Sequence, residues 1–74
     1  MKNYLKNYTA DILYDVTDIP TLGNQAPYYH RYIHINAFSL SEAWQQLNKI
    51  ITPVEKQAAA IHGMPILNMY IQQH

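Results

Sequence analysis

Three segments of the chain alternate between apolar and polar residues with the period of two that is typical of β-strands. They cover about residues 4–16, 28–38 and 64–73. The apolar row of the first segment consists of Tyr8, Ala10, Ile12, Tyr14 and Val16. Because successive side chains of a strand point to opposite faces, the pattern predicts three half-buried strands, with the second antiparallel to the first.

The segment between the second and third strands has helical periodicity. Ser39 and Glu42 form a capping-box pattern, in which a Ser side chain accepts a hydrogen bond from the third residue of the helix. One apolar stripe then repeats at helical spacing, and its members are Leu40, Ala43, Trp44, Leu47, Ile50 and Ile51. This pattern predicts an amphipathic helix that packs on the sheet, with Trp44 in the core.

A second helix start follows at Thr52. Thr52 is a suitable cap, Pro53 is tolerated at the first helical position, and Glu55 completes a second capping box. Gly63 suits the left-handed residue that ends many helices. We therefore predict a second helix over about residues 53–62; the alternative is one helix kinked at Pro53.

These elements predict an α+β fold of order β-β-α-α-β, in which a three-stranded antiparallel sheet carries one helical layer on one face. With 74 residues there is room for one domain and one core. Residues 17–27 contain two prolines and a Gly-Asn pair, and they predict a loop longer than a tight hairpin requires.

Helices on one face leave the other face of the sheet uncovered. On the inward side of the third strand we expect Leu67, Met69 and Ile71. The uncovered face is expected to present Leu13, Tyr28, Tyr32, Ile66 and Tyr70, interspersed with Asp11, Asp15, His30, His34 and Asn68. Tyrosine is enriched in binding hot spots. These residues, apart from Ile66, are the predicted partner-binding site; a homodimer face and an ordinary solvated face are the alternatives.

Charge and composition narrow the class of partner. Five Lys and Arg balance five Asp and Glu, so the chain lacks the basic excess that nucleic-acid binding requires. The absence of cysteine excludes disulfides and fits a reducing compartment. The apolar stretches are far shorter than the ~20 residues of a membrane span, and the N-terminus does not resemble a secretory signal. We therefore expect a cytoplasmic protein with no membrane partner.

No pattern in the chain predicts a catalytic, cofactor or metal site. His30 and His34 are four residues apart on a strand, roughly 13 Å, which is too far to share an ion. The same spacing separates Asp11 from Asp15 and argues against an acid–base pair; a weakly acidic patch that faces a basic partner fits better. There is no Gly-x-Ser-x-Gly motif, and Gly23 and Gly63 are the only glycines. Arg31 falls on the inward row, and we expect it to reach solvent from a strand end.

The strand-to-helix junction over residues 33–43 has the sequence Ile-His-Ile-Asn-Ala-Phe-Ser-Leu-Ser-Glu-Ala. It resembles the junction found in many small phage and mobile-element proteins, including several anti-CRISPR proteins with one helical layer on an antiparallel sheet. It is also similar to junctions in antitoxin folds of the HicB type.

The resemblance implies a function for the chain. A protein of this kind inhibits without catalysis, by docking in the host bacterial cytoplasm on a CRISPR-Cas or nuclease protein complex. The uncovered face and the 17–27 loop would make the contact. Two alternatives remain open: a homodimeric structural or regulatory module of the antitoxin type, and a nucleic-acid-binding sheet whose tyrosines stack on bases.

Overall fold

In a computed structural model of the chain, residues 4–19 and 27–74 are described. They form an α+β fold of order β-β-α-α-β, as the sequence predicts. The elements, in chain order, are β1 (Lys6–Asp15), β2 (Tyr28–Ala37), α1 (Leu40–Ile50), α2 (Pro53–Ile61) and β3 (Ile66–Gln73). Of the predicted 17–27 loop, residues 20–26 lie outside the described residues.

The three strands form one antiparallel sheet of order β2-β1-β3, so the first strand in the sequence is the central one. The pairing of β1 with β2 runs without interruption from Asp15 opposite Tyr28 to Lys6 opposite Ala37. On its other side β1 pairs with β3, beginning with Tyr8 opposite Gln73. The central strand therefore fixes the orientation of side chains on both of its neighbours.

The core lies between one face of this sheet and the two helices. It contains the predicted apolar row of β1 and side chains from β2, α1 and the residue after α1. The buried residues are Tyr8, Ala10, Ile12, Tyr14, Val16, Ile35, Ala37, Ala43, Leu47 and Ile51. Trp44, Met64 and Met69 are half-buried at its margin. The inward register predicted for β1 is therefore confirmed.

Helix α1 begins as predicted, because the Ser39 hydroxyl accepts a hydrogen bond from the Glu42 N–H at 3.1 Å. The predicted buried stripe is only partly correct. Leu40 and Ile50 are 49% and 42% exposed. They are the first and last residues of α1. Helical periodicity predicts which side of the helix a residue is on, but it does not predict how far the sheet extends along the helix axis.

Helix α2 is separate from α1, so the prediction of two helices is confirmed and the single kinked helix is wrong. Thr52 caps α2 by accepting a hydrogen bond from the Glu55 N–H at 3.2 Å, and Pro53 occupies the first turn. Among the described residues, only this half of each capping box forms. After α2, Gly63 adopts a φ of 79°, the left-handed conformation expected at the stop.

A β-bulge changes the register at the start of β3. Leu13 lies opposite Asn68, whereas the next residue, Tyr14, lies opposite Ile66, so Leu67 is an extra residue. Ile66 is thereby turned to the helix side, where it packs half-buried against the core, and Leu67 is 51% exposed. The predictions of an outward Ile66 and an inward Leu67 are therefore wrong.

Arg31 lies on the helix side of the sheet, directly opposite the fully buried Ile12. It is the fourth residue of β2 rather than a residue at the strand end, and it is exposed. Its neighbour Ile33 on the same row is half-buried. The helical layer therefore covers the second half of β2 better than the first.

Candidate binding face

The sheet face opposite the helices is named here the open face. The alternation of β1 and the register of its neighbours determine which residues belong to it. They are Asn7, Thr9, Asp11, Leu13 and Asp15 of β1, Tyr28, His30, Tyr32, His34 and Asn36 of β2, and Asn68, Tyr70 and Gln72 of β3. All nine predicted partner-binding residues lie on this one face.

Asp11 lies at the centre of the open face, between two tyrosines. Tyr32 of β2 and Tyr70 of β3 are its direct cross-strand neighbours. Their side chains are 63% and 56% exposed. The arrangement places a carboxylate between two broad, rigid rings, which combines an electrostatic group with apolar contact area.

His30 joins the carboxylate to the aromatic row. Its Nδ1 donates a hydrogen bond to Asp11 Oδ1 at 2.9 Å, diagonally across the two strands. Its ring also stacks on Tyr32, with centroids 6.0 Å apart and planes 9° from parallel. These two contacts restrict the conformation of the His30 side chain. The stacking on His30 in turn restricts the conformation of Tyr32.

Tyr70 is held in a similar way from within its own strand. The Asn68 Nδ2 donates a hydrogen bond to the Tyr70 hydroxyl at 2.8 Å, and the Asn68 Oδ1 accepts one from the Met69 N–H at 2.8 Å. An exposed side chain that is already ordered loses less entropy when a partner binds. The rings on both sides of Asp11 are therefore preorganised.

Leu13 and Tyr28 extend the apolar part of the open face. Leu13 is half-buried between His30 and Asn68, which lie opposite it on the two neighbouring strands. Tyr28 is 52% exposed and lies opposite Asp15 at the end of β1. The exposed tyrosines are thus distributed over both outer strands rather than clustered at one corner.

Asp15 is held by the turn that follows β1. Its Oδ1 accepts hydrogen bonds from the Thr17 hydroxyl at 2.6 Å and from the Thr17 N–H at 2.9 Å. The hydroxyl first, and then the backbone N–H, holds the pKa of Asp15 below its ordinary value of 3.8. The carboxylate is consequently charged throughout the neutral pH range.

The open face is acidic. Its charged residues are Asp11 and Asp15, and it contains no Lys or Arg. Arg31, on the same strand as Tyr28 and Tyr32, points to the helix side. Although the whole chain has zero formal net charge, this surface is therefore of one sign.

The site also includes residues that the predicted list omits. Asn7, Thr9, Asn36 and Gln72 share the open face, and Thr9 Oγ1 bonds to His74 Nε2 at one end of it. Strand alternation indicates their side, but uncharged polar residues on a sheet have no pattern that marks them as binding residues. The diagonal contact of His30 with Asp11 could not be read from the sequence, because it depends on the register between strands.

His30 and His34 lie on the same face but are separated along β2 by Tyr32. In residues 4–19 and 27–74, no three His, Asp or Glu side chains converge as a metal site would require. Neither of the two helices in these ranges has the length and apolar character needed to cross a membrane.

Fold and face together define an α+β protein whose short antiparallel sheet leaves a tyrosine-bearing, acidic surface uncovered. Comparison with protein families, with curated proteins and with solved structures finds no match to this chain.

Proposed function

We propose that this chain is a non-enzymatic protein-binding inhibitor that docks through its open face on a basic surface of a protein complex. More specifically, we propose that the chain is a phage-type inhibitor of the anti-CRISPR kind and that it targets a bacterial CRISPR-Cas or nuclease complex. The segment over residues 17–27, for which the sequence predicts a loop, is also part of the proposed contact.

The observation that carries the proposal is the exposure of Tyr28, Tyr32 and Tyr70 together on the face that no helix covers. Aromatic rings that protrude from a regular sheet offer large contact area at small conformational cost. Two of the three rings are preorganised by His30 and by Asn68. Such rings are suited to be anchors at the centre of an interface.

The charge of the open face supports a protein partner rather than a nucleic acid. Phosphate groups are bound by Lys and Arg, which this face lacks, and its two carboxylates would repel them. A protein surface rich in Lys and Arg would be attracted instead. Bacterial nuclease complexes have such surfaces where they bind nucleic acid, so an acidic inhibitor competes for the same site.

The resemblance of residues 33–43 to small phage proteins supports the inhibitor class. In this segment β2 ends at Ala37, and Ser39 caps α1 two residues later. The acid–base pair of His30 and Asp11 has no serine beside it on the open face, so a binding role fits the pair better than nucleophilic catalysis.

The test is a plasmid-interference assay in bacterial strains that each carry one active CRISPR-Cas system. Expression of the wild-type chain should restore transformation by a targeted plasmid in at least one strain, with binding to the purified complex in vitro. Replacing Tyr32→Ala and Tyr70→Ala together should raise the Kd by about 30-fold or more, as loss of a hot spot does.

Tyr4→Ala is the matched control, because Tyr4 is a highly exposed tyrosine that precedes β1 and is not part of the open face. If the Tyr32→Ala and Tyr70→Ala double variant inhibited as strongly as the wild type, and Tyr4→Ala did so too, the open face would not be the docking surface. Failure of the wild-type chain in every strain, and with a panel of purified nucleases, would refute the inhibitor class.

A further inference from the structure

The outer edge of β2 has a row of backbone groups that the sheet does not use. Val16 N–H donates to the Pro27 carbonyl at 3.0 Å, so Val16 and Pro27 stand at a hydrogen-bonded position of the ladder, with a single bond because proline has no N–H. In an antiparallel ladder such pairs recur at every second residue. The odd residues of β2 therefore bond to β1, whereas the N–H and C=O groups of its even residues point away from the sheet.

One end of this outer edge is covered. The Gln46 side chain of α1 donates a hydrogen bond to the Asn36 carbonyl at 2.9 Å. Among the described residues, no strand pairs with the outer edge of β2. The donors and acceptors of Tyr28, His30, Tyr32 and His34 are left for water or another chain.

The first half of β2, from Tyr28 to Tyr32, is also exposed to solvent on both faces of the sheet. Tyr28 and Tyr32 are exposed on the open face, and Tyr29 and Arg31 are exposed on the helix side. The other edge strand, β3, has a bulge at its second residue, Leu67. Bulges protect sheet edges from pairing, and β2 has none.

The sequence of β2 indicates what could cover this edge. Tyr28 and Tyr32 lie at equal distances on either side of His30, and so do Tyr29 and Arg31. An antiparallel second copy of β2 centred on His30 would therefore meet side chains that suit its own, because aromatic pairs and cation–π contacts are both favourable.

We infer that β2 pairs antiparallel with β2 of a second copy of this chain. The product is a continuous six-stranded sheet, in which the two β2 strands are central and no longer edges. The chain has zero formal net charge, so long-range repulsion does not oppose the pairing. The inference is independent of the proposed inhibitor function.

The register of this pairing follows from which backbone N–H and C=O groups of β2 are free. Even residues must pair with even residues, and at least three of the four residues with free groups pair among themselves only when the two-fold axis passes through position 30, 31 or 32. An axis at Arg31 would place two guanidinium groups opposite each other, which destabilises a pair. An axis at Tyr32 would require Asn36, whose carbonyl Gln46 already occupies.

The remaining axis passes through His30. It places Tyr28 opposite Tyr32 of the second copy on the open face, and Tyr29 opposite Arg31 of the second copy on the helix side. Both are favourable pairs, the first aromatic and the second a cation–π contact. Because the axis is perpendicular to the sheet, the two open faces lie on the same side and form one larger platform.

A single-cysteine scan tests this register, since the natural chain has no cysteine. With the axis at His30, the two Cα atoms at that position are about 5.5 Å apart, within disulfide range. His30→Cys should therefore form a disulfide-linked dimer roughly tenfold faster than Arg31→Cys, Tyr32→Cys or the exposed helix control Lys49→Cys. Fastest linkage at position 31 or 32 would overturn the register, and fastest linkage in Tyr70→Cys would show face-to-face pairing instead.

Light scattering on variants of His30 tests the pairing without a cross-link. His30→Pro removes the outward N–H but no bond to β1, whereas His30→Ala removes the same side chain and keeps the N–H. The wild type and His30→Ala should have twice the 8.6 kDa mass of one chain, and His30→Pro should be a folded monomer by circular dichroism. A monomeric wild type at 100-fold the concentration of the cross-linking assay would refute the inference. A dimeric His30→Pro would refute edge pairing.

Discussion

Asp15 shows how a single residue of the open face is tuned by its neighbour in sequence. Two hydrogen bonds from Thr17 stabilise the charged carboxylate and so hold its pKa below 3.8. A group whose pKa is lower in the folded state than in the unfolded state stabilises the fold above the unfolded pKa. That contribution is lost as the pH falls through the lowered folded pKa.

Replacing Thr17→Val should raise the pKa of Asp15 toward its ordinary value, because the larger of the two interactions, from the hydroxyl, is removed. An NMR titration of the Asp15 carboxyl carbon measures the shift directly. Thr17→Ser is the control, since it retains both the hydroxyl and the N–H and should leave the pKa low. The variant should be less stable than the wild type at neutral pH and should approach it below the folded pKa. An unchanged pKa in Thr17→Val would contradict the assignment.

At the scale of the element, the sequence predicted the three strands and the second helix with ends within two residues of those observed. Alternation identified both faces of β1 and β2, and the caps at Ser39 and Thr52 identified both helix starts. The bulge at Leu67 was not predictable, because Ile66 and Leu67 are equally apolar and only pairing with β1 decides which turns inward. The open face was predictable because it follows from alternation, whereas its diagonal contacts were not.

Leu47 and Leu40 of α1 form a matched pair that tests the packing of this helix. Leu47 is fully buried, so Leu47→Ala should reduce the free energy of unfolding by about 2–5 kcal/mol. Leu40→Ala, at the exposed first position, should cost less than about 1 kcal/mol. Urea denaturation measures both. Equal costs would show that α1 lies on the sheet in a different position.

Gly63 connects α2 to β3 with a positive φ, and a Cβ added there would have only ordinary contacts, at 3.9 Å from Asp18 and Ile19. The cost of a side chain is therefore conformational rather than steric. Gly63→Ala should destabilise the fold by about 1–2 kcal/mol, and Gly63→Asn by less, because Asn tolerates the left-handed region. If thermal denaturation ranked Asn below Ala, the left-handed stop would be the wrong explanation.

At the scale of the whole molecule, a small core supports a wide sheet. Only ten of the hydrophobic residues described are buried, and the sheet extends past the helices along β2. A chain of this length gains a thin margin of stability from its own core. In the proposed dimer, association with a second copy adds to this margin.

Thermal unfolding should accordingly depend on protein concentration. Mass action raises the Tm of a folded dimer as the total concentration rises, because only the folded chain pairs. Calorimetry over a 100-fold range of concentration measures the effect, and His30→Pro should show a constant Tm. A constant Tm in both proteins would mean that pairing does not contribute to stability.

The strand order also has a consequence for synthesis. β1 is made first but is central, and its second neighbour, β3, follows about 50 residues later, roughly 3 to 10 s at ordinary rates of translation. During that interval the nascent chain can form the β1–β2 hairpin, while the flank of β1 that receives β3 is open to other chains. Pairing of β3 with β1 thus completes the sheet.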